Sequence, residues 1–325
     1  SGHSVVTVTP GAGGSTTMTF ASLSRTAGAS VLFRGTNLGA TPGSNISNIM
    51  FTATPTLTGS AGAANSATIS VIKGAFGDNS TIGNGTDMVT YNIGNTNGLR
   101  LLNSVGFAGE YSSTLTTNTN VKLAANTAAS TVSINSLVLN GFDITNPGGA
   151  ATLTVASASH SGNILMDSAN SIAGSNTTLG ITTFETNIHT SSNSTISAVI
   201  GTSTTGSLTL SGIGNVTITA TTAYTGATNI NRATLTYGAS NILTSGAVTV
   251  GNGTLNIAGN SDTVGAVTLQ KGLITGTSGI LTGTSYSFRE GTVSAIIAGA
   301  VAVTRVATST AVDSVVTMTR DNTYT

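Results

Sequence analysis

Three acidic side chains have a spacing that would allow them to act together. Asp143, Asp167 and Glu185 follow one another at intervals of twenty-four and eighteen positions. A row of carboxylates on one face could serve as acid and base, or bind Ca²⁺ as polysaccharide lyases do. The alternative is three solvated turn residues on a surface of low charge. We favour the turn residues, because no Lys or Arg is spaced to match them.

The segment from Gly77 to Asp87 offers several oxygen ligands for a hard cation. Its sequence is Gly-Asp-Asn-Ser-Thr-Ile-Gly-Asn-Gly-Thr-Asp. The segment lacks the Gly at position six and the Glu at position twelve that an EF-hand loop requires. It also does not match the Gly-Gly-x-Gly-x-Asp nonapeptide of calcium-binding β-rolls. We therefore interpret it as a long surface loop and predict no metal site.

The histidines do not suggest a catalytic or metal-binding group. His3, His160 and His189 are far apart, and no two have a spacing typical of metal ligands. The chain has many Ser hydroxyls but no Gly-x-Ser-x-Gly nucleophile elbow. From these patterns we predict that the protein is not an enzyme and binds no cofactor.

Composition limits the partners and the class of fold. The 325 residues include ten basic and ten acidic side chains, only 6% charged in all, with 38% apolar residues and no Cys. Nucleic-acid binding requires clustered Lys and Arg, and the basic residues here are scattered. The longest apolar stretch, around residues 295–303, is too short for a transmembrane segment. A net charge near zero favours self-association.

Short alternating segments closed by Gly or Asn recur along the whole chain. Val, Leu or Ile alternates with Thr or Asn, which places one face in a core and the other in water. Helical periodicity of comparable length is absent, so we predict an all-β fold. The residues predicted to point inward are Val216, Ile218, Val248, Val250, Leu255, Ile257, Val267 and Leu269.

An internal repeat distinguishes among a sandwich, a barrel and a solenoid. The segment Val216–Thr225 aligns without gaps on Val316–Thr325, with Val, two Thr, Tyr and a final Thr shared. A finer spacing of roughly 20–25 residues, with two or three short strands per turn, is typical of a β-helix coil. The sequence therefore predicts a parallel β-helix, or β-solenoid, of right-handed form.

One part of the chain resembles a known bacterial family. Leu208-Thr-Leu-Ser-Gly212, Ala223-Tyr-Thr-Gly226, Thr228-Asn-Ile230 and Ala233-Thr-Leu-Thr-Tyr-Gly238 are similar to the autotransporter-associated β-strand repeat. The last five residues, Asp321–Thr325, resemble the opening of a second copy. The resemblance implies a secreted, surface-displayed β-helix and no catalytic residues.

These observations divide the chain and predict its function. We expect an N-terminal solenoid or flank with longer loops over residues 1–205, and a repeat solenoid over 206–325. The predicted function is a structural stalk or self-assembling filament subunit, extracellular or at the cell surface. An adhesin that contacts surface glycans or other cells is the alternative, and a polysaccharide-processing enzyme is the third.

The two ends of the chain are the predicted assembly sites. Neither end carries an evident cap, and unpaired strand edges recruit further strands. We therefore expect 4–9 or 315–325 to pair with a neighbouring subunit. The residues predicted to take part are Ser4, Val5, Val6, Val8, Val315, Val316, Met318 and Tyr324.

Overall fold

The computed structural model describes residues 2–92, 97–156, 161–202, 205–306 and 315–324. Every regular element in these ranges is a β-strand, which confirms the predicted all-β class. Among the same residues no helix is long and apolar enough to cross a membrane.

Thirty-three strands follow one another in these ranges. The first nine are β1 Gly2–Val8, β2 Ser15–Phe20, β3 Ala29–Gly35, β4 Ile46–Phe51, β5 Leu57–Thr58, β6 Val71–Ile72, β7 Ala75–Asp78, β8 Asp87–Tyr91 and β9 Leu99–Leu101. The next twelve are β10 Asn120–Lys122, β11 Thr127–Ala128, β12 Val132–Ile134, β13 Ser136–Val138, β14 Ile144–Thr145, β15 Ala151–Val155, β16 Gly162–Met166, β17 Ser171–Ile172, β18 Thr177–Gly180, β19 Thr186–Thr190, β20 Ser194–Ile196 and β21 Val199–Ile200. The last twelve are β22 Leu208–Gly212, β23 Asn215–Ile218, β24 Thr228–Asn231, β25 Thr234–Tyr237, β26 Val248–Asn256, β27 Asp262–Thr275, β28 Ile280–Phe288, β29 Gly291–Val293, β30 Ile296–Gly299, β31 Val303–Arg305, β32 Val316–Met318 and β33 Thr323–Tyr324.

A long parallel sheet of 20 strands contains most strands from β10 onward. Its strands stack in columns, in which each strand pairs in parallel with a strand about one turn later in the sequence. The first column is β10, β13, β16, β19, β22, β24, β26, β27, β28 and β31. The later strands of the second column are, in order, β23, β25, β26, β27, β29 and β32. Different residues of β26, β27 and β28 pair with strands of different columns, so each of these strands belongs to more than one column.

A third set of strands lies beside these two columns. The strands β12, β15, β18 and β21 form a separate parallel sheet of 4 strands. Farther along, β27 pairs with β28, β28 with β30 and β30 with β33 in the same parallel sense. No strand of the third set occurs among the described residues between β21 and β27, so the rungs there contain strands of the first two columns only. Val248, Val267 and Tyr286 of the first column follow at steps of nineteen residues.

The alternating pattern decides which side chains enter the core of the columns. Val216, Ile218, Val248, Val250, Leu255, Ile257, Val267 and Leu269 are all buried, as predicted. They belong to one continuous apolar cluster that extends from Val121 to Ile297. Thr217, between two of these residues, is only half-buried. Alternation therefore predicted the inward face correctly, because successive side chains of a strand point to opposite faces.

Residues 2–102, which we call the N-terminal layer, form other sheets. One sheet has the order β1-β3-β7-β8-β9, and a second consists of β2 and β4. The strands β1, β3 and β7 are parallel, whereas β7–β8 and β8–β9 are antiparallel. The predicted parallel β-helix therefore does not extend to this part, for which the sequence predicts an N-terminal solenoid or flank with longer loops. Short hairpins, joined by loops such as 79–86, interrupt the parallel order.

The N-terminal layer packs on the outer face of the first column. Its apolar residues, among them Leu32, Phe76 and Met88, meet Val138 and Leu165 of that column. The strand β8 lies against β13 and β16, β3 against β22 and β24, and β1 against β24 and β26. From β1 to β8, successive strands of the layer therefore lie over earlier and earlier strands of the first column.

The predicted division at residues 205 and 206 lies inside the long sheet. There β19 pairs directly with β22 over five residue pairs, so the sheet continues across this point. The change from one set of sheets to another comes earlier, between β9 and β10. The predicted boundary at residues 205 and 206, between the N-terminal region and the repeat region, therefore stays a prediction.

Candidate functional site

A ladder of polar side chains follows the outer face of the first column. Each of these residues is paired with the next one in the register of neighbouring strands. We call the set the polar ladder: Asn120, Ser136, Asn163, Asn187, Thr209, Asn229, Thr249, Thr268, Ser287 and Thr304. The six residues from Asn120 to Asn229 are buried under the N-terminal layer. The next three are half-buried and Thr304 is exposed. The layer therefore covers only the first part of the ladder.

The buried part of the ladder binds backbone groups of the layer. Asn120 Nδ2 donates to the Ile69 carbonyl at 2.8 Å, and Asn163 accepts from the Gly74 N–H at 3.1 Å. Such side-chain bonds satisfy backbone groups that would otherwise be buried without partners. The covered ladder is thus an attachment surface for β-structure.

Glu185 links the layer to the column through three contacts. Its carboxylate accepts from Arg25, from the Gly28 N–H at 2.8 Å and from Thr209 Oγ1 at 2.6 Å. The interpretation of Glu185 as a solvated turn residue is wrong, because its partner comes from a segment 160 residues earlier. Gly28 has a φ of 77° and lies so close to Asn229 that a Cβ would overlap that side chain. Glycine alone fits this approach.

The other two carboxylates of the predicted row accept hydrogen bonds from backbone N–H groups. Asp143 accepts from the Ser171 N–H at 2.6 Å, and Asp167 accepts from the Gly141 N–H at 3.2 Å. Both are half-buried and lie between strands. No cluster of three His, Asp or Glu side chains able to hold a metal occurs in the part of the chain that the structure describes. The three acids therefore do not converge on one site.

The loop between β7 and β8 folds around one of its own carboxylates. Asp78 accepts from the N–H groups of Ser80 and Gly85, both at 2.9 Å, and is buried. Asp87 pairs with Lys122 at 2.8 Å. The exposed tip at Ile82 agrees with the predicted surface loop. The base of the loop is fixed to the column, which its sequence did not indicate.

Two histidines meet between the layer and the column. The rings of His3 and His189 are 5.3 Å apart, and His189 stacks on Phe76 at 4.7 Å. His189 Nε2 bonds to the Asn84 carbonyl at 2.7 Å, and its Nδ1 bonds to Ser211 Oγ at 3.1 Å. Burial lowers the pKa of His189 to about 4 and that of His3 to about 3. Both rings are neutral packing groups at pH 7, and His160 lies outside the described residues.

The first rung of the long sheet is covered at its outer edge. The Ser112 N–H donates to the Asn120 carbonyl at 2.8 Å, and the Asn118 N–H donates to the Ser133 carbonyl at 2.9 Å. Leu115, between them, packs on the apolar core. The segment 112–119 therefore acts as a cap. Residues 2–8, which the sequence predicts to be an uncapped strand, form β1 at the side of the column rather than at this rung, and their predicted pairing with a neighbouring subunit stays a prediction.

The last rung has no such cover among the described residues. Its strands β31, β32 and β33 pair only toward the preceding rung, with β28, β29 and β30. Val316 and Met318 are half-buried at the end of the core, and Val315 is 61% exposed. The Thr319 N–H points back to the Val293 carbonyl, so the N–H groups of Val316 and Met318 face outward. Tyr324 is the last residue of β33, and its side chain lies outside the part that the structure describes.

The N-terminal layer also has an open edge. Within the part of the chain that the structure describes, β1 is an edge strand of its sheet and β2 pairs only with β4. Of the predicted assembly residues here, Val8 is buried, Val5 packs toward the column, and Val6 packs inside the layer. Ser4 and Val6 line a cleft of about 340 Å³ with Phe20, Leu23 and Phe33. This cleft is the open end of an apolar interior.

Searches of family models, curated proteins and solved structures find no match for this chain.

Proposed function

We propose that the chain is a structural, self-associating protein of a bacterial cell surface, built as a closed right-handed parallel β-solenoid. The three sets of strands around one apolar cluster support the solenoid. The similarity of residues 208–238 to a surface-protein repeat supports the extracellular location. The edges of β2 and of β32 that have no strand partner among the described residues support the proposal of self-association, since unpaired strand edges are templates for further strands.

The surroundings of the acidic and imidazole groups favour a structural role over catalysis. Asp78, Asp143 and Asp167 each accept backbone N–H groups, and Glu185 is neutralised by Arg25. Each group therefore has a contact that explains its presence without a substrate. The glycan-binding alternative has less support, because Phe20 and Phe51 stack on each other at 5.8 Å and Phe33 meets Phe51 edge-on at 6.1 Å.

Sedimentation velocity over a range of protein concentrations tests self-association. The wild-type chain should form larger species as the concentration rises. Val316→Pro removes an outward N–H without removing a bond to β29, and proline blocks strand edges. This variant should remain monomeric, whereas the control Val316→Ala should associate like the wild type. A wild-type chain that stays monomeric at every concentration contradicts the proposal.

A further inference from the structure

Two imidazole rings lie where the N-terminal layer meets the first column. His3 belongs to β1 of the layer, and His189 belongs to β19 of the column. Their ring centroids are 5.3 Å apart, and His189 also stacks on Phe76 of β7 at 4.7 Å. The contact between the two histidines is therefore part of the interface that holds the layer on the column.

The hydrogen bonds around the two rings suit neutral imidazoles. His189 Nε2 is 2.7 Å from the Asn84 carbonyl, so this nitrogen carries the proton and Nδ1 accepts from Ser211 Oγ at 3.1 Å. His3 Nδ1 is 2.9 Å from Ser30 Oγ, whereas its Nε2 is buried without a hydrogen-bond partner among the described residues. An imidazolium at His3 would therefore bury an N–H that no acceptor satisfies, which is costly.

The charges around the rings do not favour an imidazolium. Neither ring is hydrogen-bonded to a carboxylate in the ranges that the structure describes. Arg232, in the turn between β24 and β25, acts on both rings and is itself a cation. The other charged groups on the elements packed there have partners of their own, and they are Arg34, Asp78, the pair Asp87–Lys122 and the pair Glu185–Arg25.

Protonation of these rings is coupled to the attachment of the layer. Burial lowers the pKa of His3 to about 3 and that of His189 to about 4, and the reference value is 6.5. Water would solvate both rings in a detached layer, and each pKa would return toward the reference value. Because the detached form then binds protons more readily, attachment is strongest above pH 6.5 and weakens as the pH falls below it.

The layer is built as a separate unit. No sheet of the described residues contains strands of both the layer and the columns. The layer also has an apolar cluster of its own, which includes Val8, Phe33, Phe51 and Leu99, and the columns have another. Side-chain contacts therefore join the two units, so the layer can separate while the columns stay folded.

We propose that His3 and His189 form an acid-sensitive switch, which keeps the layer on the column at neutral pH and releases it in acid. Release exposes the covered part of the polar ladder, from Asn120 to Asn229, while the columns remain folded. Two like charges 5.3 Å apart would repel each other, so both rings favour the same change. This inference does not rest on the proposed self-association.

Thiol labelling at two buried positions tests the switch, since the natural chain has no Cys. Ser136→Cys reports on the covered ladder, and Ala198→Cys is a matched thiol in the core of the columns. Dithiodipyridine is a suitable reagent because it reacts with thiols in acid as well as at neutral pH. Labelling rates are compared with those of the same variant unfolded in urea at the same pH, which corrects for the titration of the thiol itself.

The relative labelling rate at position 136 should rise by about a hundredfold from pH 7 to pH 5, because each ring contributes up to about tenfold per pH unit. The rate at position 198 should stay constant. Adding His3→Gln and His189→Gln to Ser136→Cys should remove the acceleration. His3→Gln alone should halve its logarithm, which keeps the test valid if the double variant folds poorly.

Three results would overturn the switch. The first is a relative rate at position 136 that does not change with pH. The second is an acceleration that persists unchanged in the His→Gln variants, since other groups would then cause it. The third is an equal acceleration at position 198, because the columns would then open together with the layer.

Discussion

Individual side chains in the columns have roles set by the face of the strand they occupy. Ile218 is fully buried and Thr217 half-buried, although they are neighbours in the sequence. This difference follows from two-residue periodicity, which is why the inward residues could be predicted from the sequence. Glu185 could not be predicted, because its partner Arg25 belongs to a distant segment whose approach depends on the whole fold.

Aspartate substitution at two adjacent positions tests the inward assignment. Ile218→Asp buries a carboxylate in an apolar core and leaves it without a partner, and should cost about 4 kcal/mol or more of unfolding free energy. Thr217→Asp, on the outer face, should cost about 1 kcal/mol or less. Urea unfolding of the two variants measures the difference. Equal losses would mean that the two side chains share one environment.

The buried His189 should make stability depend on pH. Its pKa is about 4 in the folded chain against 6.5 as the reference value, so the unfolded chain binds the proton first as pH falls. The contribution is fully present above pH 6.5 and declines below it. The groups around the ring are His3, Arg232, Ser211 and the Asn84 carbonyl, and none is an anion that would favour protonation.

As the pH falls from 6.5 to 5, the unfolding free energy should decrease by up to about 2 kcal/mol, because the unfolded chain binds a proton at His189 and the folded chain does not. Urea unfolding at several pH values measures this slope. His189→Gln cannot be protonated, so its slope should be shallower, with His3 accounting for part of what remains. An identical slope in the variant would show that other groups cause the pH dependence.

At the scale of elements, the attachment of the N-terminal layer to the first column is the feature that sequence patterns missed. The strand β3 departs from the alternation of the columns, because Val31, Leu32 and Phe33 are consecutive apolar residues and all are buried. Such a run indicates a strand covered on both faces but does not say which surface covers it. The covered Asn residues of the ladder were a signal, since buried Asn requires hydrogen-bond partners. Their partners are backbone groups such as the Ile69 carbonyl, and a backbone group carries no sequence signature.

The repeat seen in the sequence has a structural counterpart at this scale. The segments beginning at Val216 and Val316 form β23 and β32, which occupy the same column five rungs apart. Register follows Val216 to Met318 rather than to Val316, a shift of two residues. A shift of two preserves the inward face, so the sequence alignment identified the column correctly but not the register.

Loss of the Arg25–Glu185 pair should loosen the layer. Glu185→Gln leaves the guanidinium of Arg25 buried without a counter-ion, and should cost about 3 kcal/mol. The side chains in this pair are 11% and 4% exposed, whereas Lys271 and Glu290 form an exposed pair. Glu290→Gln is therefore the control and should change stability by no more than about 0.5 kcal/mol.

Urea unfolding and limited proteolysis measure the two effects together. Faster cleavage within residues 2–102 of Glu185→Gln, with the columns intact, would place the weakness in the attachment of the layer. A stability of Glu185→Gln equal to that of Glu290→Gln would contradict the assigned role of Glu185.

At the scale of the whole molecule, the two ends of the columns differ in kind. Residues 112–119 cover the first rung, while β31, β32 and β33 leave the last rung open among the described residues. The sequence predicted open edges at both termini of the chain. The edge strand β1 lies at the side of the columns because the N-terminal layer folds back along them. Assembly at either terminus stays a prediction.

Amide hydrogen exchange at β32 tests the central claim, that the open rung pairs with another chain. The N–H groups of Val316 and Met318 face outward and should exchange freely in dilute protein. At concentrations where the chain associates, pairing should slow their exchange by about tenfold or more, since a hydrogen-bonded amide exchanges only when its element opens. The Thr319 N–H, already bonded to Val293, is the internal control. Exchange at Val316 and Met318 that is equally fast at every concentration would contradict the account.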